Sequence, residues 1–219
     1  MDAVIFDMDG VLVDSESMSC GAWLPVLRRH RITATLKEIE AFLGQSDRAV
    51  LEHFRKKNPD SILDNRLIDE KELEYFKIAR PNLKTFQDLP ELLERLKTAQ
   101  IPMAVASSGR HTKIKFTLET TGLKSYFDVI CSATDVANGK PAPDLFLQAA
   151  SLLSIAPTCC IVIEDSIPGI TAARSAGMYS LGFTSSHSAS VLLNVGADEV
   201  FEQYAELLDA DLSFLSSRH

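Results

Sequence analysis

The 219-residue sequence predicts an α/β fold in which a parallel sheet is covered on both faces by helices and interrupted once by a purely helical insert. Three observations predict it. From about residue 82 onward, short apolar runs alternate with stretches of helical periodicity, the pattern of a parallel, doubly covered sheet. One further apolar run, Val4-Ile5-Phe6, stands by itself near the start. Between the two, residues 15–81 keep helical periodicity with no strand, as a separate helical layer does.

Val4-Ile5-Phe6 is bounded by Asp7-Met8-Asp9-Gly10 and reads as a buried strand. In the insert, Trp23, Leu24 and Leu27 form one face of a helix starting near Ser15. Leu36, Ile39, Phe42 and Leu43 form a second, closed by Gly44. Ser46 is placed to cap a third, with Val50, Leu51 and Phe54, which Asn58-Pro59-Asp60 ends. An amphipathic stretch over about 64–78, with Leu67, Leu73 and Phe76, is the fourth. The junctions fall at about 13–16 and 79–83, the second containing Pro81. They divide the chain into a core of residues 1–14 and 82–219 and a helical cap domain of residues 15–81, with a hinge at the two crossings.

Beyond the insert, Asp88 is placed to cap a helix whose Leu89, Leu92, Leu93 and Leu96 recur at i, i+3, i+4 and i+7. Residues 103–106 make a strand running into Ser107-Ser108-Gly109, a helix over 110–121 stops at Gly122, and 127–130 is another strand. Lys140-Pro141-Ala142-Pro143-Asp144 is a stiff loop before a helix with Leu145, Phe146 and Ala149. Residues 160–163 form a strand ending in Glu164-Asp165-Ser166. A helix over 168–176, a strand over 179–183, a short strand at Val200-Phe201 and a helix over 205–215 complete a Rossmann-like doubly wound core.

The composition, 46% hydrophobic and 24% charged, is that of an ordinary globular protein. A net charge of -8 argues against nucleic-acid or anionic-membrane partners, so an anionic substrate needs a metal or a few local cations. Cys20, Cys131, Cys159 and Cys160 have neither zinc nor redox spacing, and the five histidines have no metal-ligand spacing. The first apolar run is too short and too acidic for a signal peptide, and no stretch is long enough to span a bilayer. The expected protein is a cytoplasmic monomer acting on a small molecule.

In a parallel sheet the runs ending at Phe6, Ala106 and Ile163 share one edge, and ligands of such sheets sit beyond it. Asp7 with Asp9, Ser107 with Ser108, and Glu164 with Asp165 therefore converge there, and Lys140 follows in the stiff loop. Taken singly, Asp-x-Asp-Gly is also an acidic turn, Ser107-Ser108-Gly109 and Glu164-Asp165-Ser166 are also helix caps, and Lys140 is also a solvated loop charge. Together they supply a nucleophile, a second acid, hydroxyls, a cation and further carboxylates.

The four elements, in this order, resemble the motifs of the haloacid dehalogenase superfamily, and within it the phosphatases and phosphomutases with a helical cap inserted after the first motif. Asp7-Met8-Asp9-Gly10-Val11 is similar to the first motif, Ser107 to the second, Lys140 with its Pro-Ala-Pro-Asp tail to the third, and Glu164-Asp165 to the fourth. The resemblance implies a Mg2+-dependent phosphatase of a small phosphorylated metabolite, a sugar phosphate or a relative. Asp7 would be the nucleophile forming an aspartyl phosphate, and Asp9 the acid and base. Ser107, Ser108 and Lys140 would hold the phosphoryl group. Asp7, the Asp9 carbonyl and Asp165 would hold the metal, with Glu164 behind them or as a ligand. Asp9 separates the chain from dehalogenases, which lack this second aspartate, and from phosphonatases, which carry alanine there. The alternative is a phosphomutase similar to β-phosphoglucomutase. Those mutases place a histidine on the first cap helix where this chain has Ser19. Their specificity loop resembles Gly44-Gln45-Ser46-Asp47-Arg48, with the arginine one residue earlier, so Gln45 and Arg48 are the candidate specificity residues. A remoter alternative, a phosphoaccepting receiver module, has no such insert.

Overall fold

The computed structural model describes residues 1–210 and residue 215. Its centre is a six-stranded sheet of β1 (Ala3–Phe6), β2 (Met103–Ser107), β3 (Val129–Ser132), β4 (Cys160–Glu164), β5 (Tyr179–Phe183) and β6 (Glu199–Phe201). The order is β3-β2-β1-β4-β5-β6, and every pairing is parallel. The strand order reverses at β1, which lies between β2 and β4. A crevice opens beyond the carboxyl ends of strands at such a reversal, so β1 delivers its last residues to the place where ligands bind.

Both faces of the sheet are covered, which is why the strands read as unbroken apolar runs. Alternate residues point to opposite faces. Val4, Phe6, Val105, Ile161 and Ile163 pack with the leucine stripe of α5 (Leu89–Thr98) and with Ile114 and Leu118 of α6 (His111–Thr120). Ala3, Ile5, Ala104, Ala106 and Val162 pack with Leu145, Phe146 and Ala149 of α7 (Asp144–Leu153) and with Ala172 and Ala173 of α8 (Ile167–Ser175). Small α8 residues let that helix approach β4 closely, where the acidic pair emerges.

Between β1 and α5 run α1 (Glu16–Arg29), α2 (Leu36–Glu40), α3 (Asp47–Lys57) and α4 (Arg66–Asn82). They share an apolar cluster of their own built on Trp23, Leu27, Ile39, Leu51, Phe54 and Leu67. The entry and exit of this segment lie side by side: the Asp14 amide donates to the Lys84 carbonyl at 3.2 Å, and Val13 bridges Thr85.

Several local expectations need correction. The helix α4 continues through Pro81 to Asn82, because a proline in the last turn removes a single hydrogen bond and the Leu83 amide still reaches the Ala79 carbonyl at 2.7 Å. Asp88 has a left-handed backbone and its side chain caps nothing, and Ser46 also makes no side-chain cap. Strand β3 starts two residues later than read, because Phe127 instead packs edge-on against Phe6, ring centroids 5.8 Å apart. The short α9 (Ala189–Val195), with one buried residue, Leu192, had no periodicity to betray it. The final helix α10 (Tyr204–Asp209) covers only the first part of the stretch expected to reach 215; residues 211–214 lie outside the described residues. The four cysteines are free thiols, and no described helix is long and apolar enough to cross a membrane.

Candidate active site

Asp7 follows β1 directly, its amide donating to the Ile163 carbonyl at 3.0 Å, so its position is an extension of the β1–β4 ladder. Lys140 Nζ donates to Asp7 Oδ1 at 2.5 Å, to Glu164 Oε1 at 2.7 Å and to the Ala106 carbonyl at 3.0 Å. One ammonium spends its three protons on the ends of β1, β2 and β4. The other Glu164 oxygen accepts from the Asp165 amide, the Ser166 amide and the Ser166 hydroxyl, each at 2.9 Å. Both Glu164 oxygens are thus committed inside the protein.

The Glu164 carboxylate lies where Gly169 has no side chain: a Cβ there would stand 1.8 Å from Glu164 Cδ. Gly169→Ala is therefore expected to push Glu164 out of place, costing about 1–3 kcal/mol in stability and lowering activity as well. Denaturant unfolding alongside a turnover assay checks this, and a variant of unchanged stability and rate would contradict it.

Asp165 emerges beside Gly10, whose φ of +79° is the left-handed conformation glycine adopts freely and whose missing Cβ would lie 2.0 Å from Asp165 Oδ2. The same oxygen accepts from the hydroxyls of Ser185 (3.1 Å) and Ser186, and the Asp165 carbonyl accepts from His187 Nδ1 at 3.0 Å. The loop after β5 was not anticipated. A polar Ser-Ser-His run directly after a buried strand is the same signal that marked the other three strand ends.

Ligand oxygens of Asp7, Glu164 and Asp165 lie within 4.8 Å of one another. Burial pushes the Asp7 carboxyl up to about 8; Lys140 opposes that, while Glu164 and Asp9 add to it. Burial, then Glu164 and Asp7, likewise raise Asp165 well above the ordinary carboxylate range. Crowded acids with too little positive charge between them fit a hard cation bound by oxygen. With Glu164 saturated, Asp7 and Asp165 are the carboxylates left to bind one.

Asp9 turns away from Asp7. Its Oδ1 accepts from the Ser15 hydroxyl and its Oδ2 from Lys113 Nζ at 2.7 Å. From there a polar row crosses into the helical segment. Lys113 Nζ lies 3.4 Å from Ser19 Oγ, which also accepts from Lys71 Nζ at 2.9 Å; Lys71 pairs with Asp47 Oδ1 at 2.8 Å, and that oxygen accepts from Trp23 Nε1 at 3.1 Å. Lys71 and Lys113 are both buried. Burial pushes the Asp47 carboxyl up, but Lys71, Lys113 and the hydrogen bonds more than offset it and leave it lowered. Neither lysine was recognised from sequence, since charges on amphipathic helices read as solvated. The signal was nonetheless present: Lys71 falls in the buried series Leu67, Tyr75, Ala79, and Lys113 in the series Ile114, Thr117, Leu118.

Over Asp7 and Asp9 lies a cavity of about 50 Å³ whose further walls include Glu16, Ser19, Gln45, Asp47 and Ser108. Burial, with Asp9 nearby, pushes the Glu16 carboxyl up to about 7. Ser108 Oγ donates to the Gly44 carbonyl at 3.0 Å, joining β2 to the loop before α3. Ser107 is buried behind it and accepts from the Gly109 amide at 3.0 Å, leaving its own proton to give. Of the two specificity candidates, Gln45 lines this cavity. Arg48 instead lines a second one of about 390 Å³ that shares Asp47 and Ser108 with the first.

Converging acids and one saturated lysine at the reversal point of a doubly wound sheet form an enzyme-like site, and residues of the helical segment wall the cavity above it. The sequence profile of haloacid dehalogenase-like hydrolases matches residues 4–183, and the chain belongs to this family. It is 31% identical over 208 residues to validoxylamine A 7'-phosphate phosphatase of Streptomyces hygroscopicus subsp. limoneus, covering 93% of this chain and 94% of that protein. It is 32% identical over 216 residues to β-phosphoglucomutase of Bacillus subtilis, covering 94% and 92%. A crystal structure of a haloacid dehalogenase family hydrolase from Deinococcus radiodurans, with bound phosphate and sodium, superposes with a TM-score of 0.73 at 31% identity, covering 99% of this chain and 96% of that one.

Proposed function

We propose that the chain is a magnesium-dependent phosphatase that hydrolyses a small phosphorylated metabolite, a sugar phosphate or a close relative, through an aspartyl phosphate. The observation that carries the reading is the meeting of Asp7, Lys140, Glu164 and Asp165 at one sheet edge with Asp9 two residues on. The relatives' substrates and the phosphate bound in the Deinococcus structure support it. Asp7 attacks phosphorus as the bond to the leaving oxygen breaks, dividing one displacement into two. Asp9 gives that oxygen a proton and later takes one from the water that releases inorganic phosphate and restores the Asp7 carboxylate. For this, Asp9 gives up one of its contacts to Ser15 and Lys113. Lys140 offsets the charge of Asp7 against an incoming anion, Ser107 donates its free hydroxyl proton to a phosphoryl oxygen, and Ser108 does so on releasing the Gly44 carbonyl.

Magnesium held by Asp7, Asp165 and the Asp9 carbonyl would neutralise phosphoryl charge. Glu164 then serves as the anchor of Lys140 and of the Asp165-Ser166 backbone. Residues 15–81 form the cap in this reading and residues 1–14 and 82–219 the core. A cavity of about 50 Å³ has room for only a few waters, so substrate entry requires the cap to swing at the paired crossings by Val13 and Lys84.

The mutase reading keeps one observation in its favour, the similarity to β-phosphoglucomutase along most of the chain. Assaying phosphorylated metabolites with magnesium for both phosphate release and hexose phosphate isomerisation separates the two. Steady release of phosphate from one sugar phosphate, silenced by chelator, is the expected result; conversion without release would establish the mutase.

The Asp7 shift also has a thermodynamic consequence. Between the ordinary carboxylate value near 4 and about 8, the folded chain holds a proton that the unfolded chain releases. Metal-free protein is therefore expected to lose stability as pH rises through that window, with a slope of at most about 1.4 kcal/mol per pH unit for this group. Urea midpoints at pH 5 and pH 8 in chelator measure it; a higher midpoint at pH 8 would count against the shift.

A further inference from the structure

The cavity over Asp7 is lined by four carboxylates, those of Asp7, Asp9, Glu16 and Asp47, against a single ammonium, that of Lys113. That ammonium is already committed to Asp9 at 2.7 Å. The next cation along, Lys71, is buried behind the wall on Asp47 and Ser19. Among the described residues, no uncommitted positive charge therefore faces the space beyond the phosphoryl site.

Two of the acids are short of donors. Glu16 makes no hydrogen bond or ion pair within the described residues, although it is largely enclosed. Asp47 receives Trp23 and Lys71 on the same oxygen, Oδ1. An ionised carboxylate, as Glu16 is above about pH 7, is purely an acceptor, and one removed from water is costly until a donor meets it. Hydroxyl and ammonium groups supply donors, whereas a second phosphate or a carboxylate brings only lone pairs and like charge.

We propose that Glu16 and Asp47 select the leaving group, accepting a hydroxyl- or amine-bearing carbon skeleton with one phosphate and rejecting skeletons that carry a second anionic group. This rests on the phosphatase reading above and narrows its substrate class. The one feature that could recruit a distal anion is Arg48, exposed and without a partner in the described residues. It lines only the neighbouring cavity, where Arg110 is already paired with Asp69, and Asp47 stands on the wall common to both. A group reaching for Arg48 passes a carboxylate on the way.

The test measures kcat/KM with magnesium on matched pairs: glucose 6-phosphate with glucose 1,6-bisphosphate, and glycerol 3-phosphate with 3-phosphoglycerate. Glucosamine 6-phosphate is added as the amine arm and p-nitrophenyl phosphate as a substrate with no hydroxyls. The member of each pair with a single anionic group is expected to be favoured at least about tenfold, the scale of one hydrogen bond to a charged group. Glu16→Gln and Asp47→Asn are expected to shrink that preference about tenfold, and Glu16→Lys to reverse it. A merely structural role would lower both members of a pair alike. Glu16 has no internal partner, so its variants carry the test even where Asp47→Asn destabilises the fold. A gain for glucosamine over glucose 6-phosphate marks an ion pair, and parity marks hydroxyl recognition; both support the proposal. Equal or better turnover of the substrates with a second anionic group overturns it, most directly if Arg48→Ala then abolishes that turnover. Failure to hydrolyse even p-nitrophenyl phosphate would instead bring down the phosphatase reading, and this one with it.

Discussion

Asp7→Asn is expected to lower phosphate release on the order of 10⁴-fold or more while the protein stays folded. Losses of that size accompany removal of a nucleophile, because the chemical step loses its route and not merely a contact. The fold should tolerate the change well. Asp7 is a buried acid in a crowd of acids, and Lys140 keeps Glu164 and the Ala106 carbonyl as partners when the charge is removed. Thermal unfolding is therefore expected to occur at an unchanged or higher temperature. Residual turnover within tenfold of the parent would place the nucleophile elsewhere, and a collapse in stability would assign Asp7 a structural role.

Lys140→Ala is expected to do the opposite to stability while also removing activity. The substitution leaves Asp7 and Glu164 buried near each other with no cation between them, and it strips the donor from the Ala106 carbonyl. Breaking a buried pair by removing one partner costs about 3–5 kcal/mol. Turnover should fall about 10²- to 10³-fold or more, since phosphoryl transfer loses a fixed positive charge as well as the positioning of Asp7. The loss should shrink in acid, where the stranded carboxylates take up protons. Urea unfolding at pH 5 and pH 8 reads both effects. A midpoint equal to that of the parent would mean that Lys140 is not the bond holding the three strand ends together.

These two residues also mark how far the sequence could be read. Asp7, Lys140, Glu164 and Asp165 were legible because each closes an apolar run or sits in a proline-stiffened loop, and parallel strands deliver their ends to one edge. Lys71 and Lys113 were not. Their burial is decided by what α1, α3 and the turn after β1 place against them, Ser19 and Asp47 for the first and Asp9 for the second, and no local pattern names a partner 24 or 104 residues away. Ser185, Ser186 and His187 fall between, carrying the strand-end signal but no acid or cation to mark it as chemistry. Helix ends are less legible, since a proline in the last turn does not stop α4 and Asp88 precedes α5 with a left-handed backbone and no side-chain cap.

The placement of β1 at the middle of the sheet bears on how the molecule comes into being. Val4 pairs with Met103 on one side and Ile161 on the other, partners roughly 100 and 160 residues further along the chain. Contacts of such separation are made late, because the intervening loop is closed only at a large entropic cost. During synthesis the strand bearing the proposed nucleophile leaves the ribosome before either of its neighbours. Its apolar run has no partner until β2 has emerged and only one until β4 follows. The acids that flank Asp7 therefore arrive in the same late step that buries it.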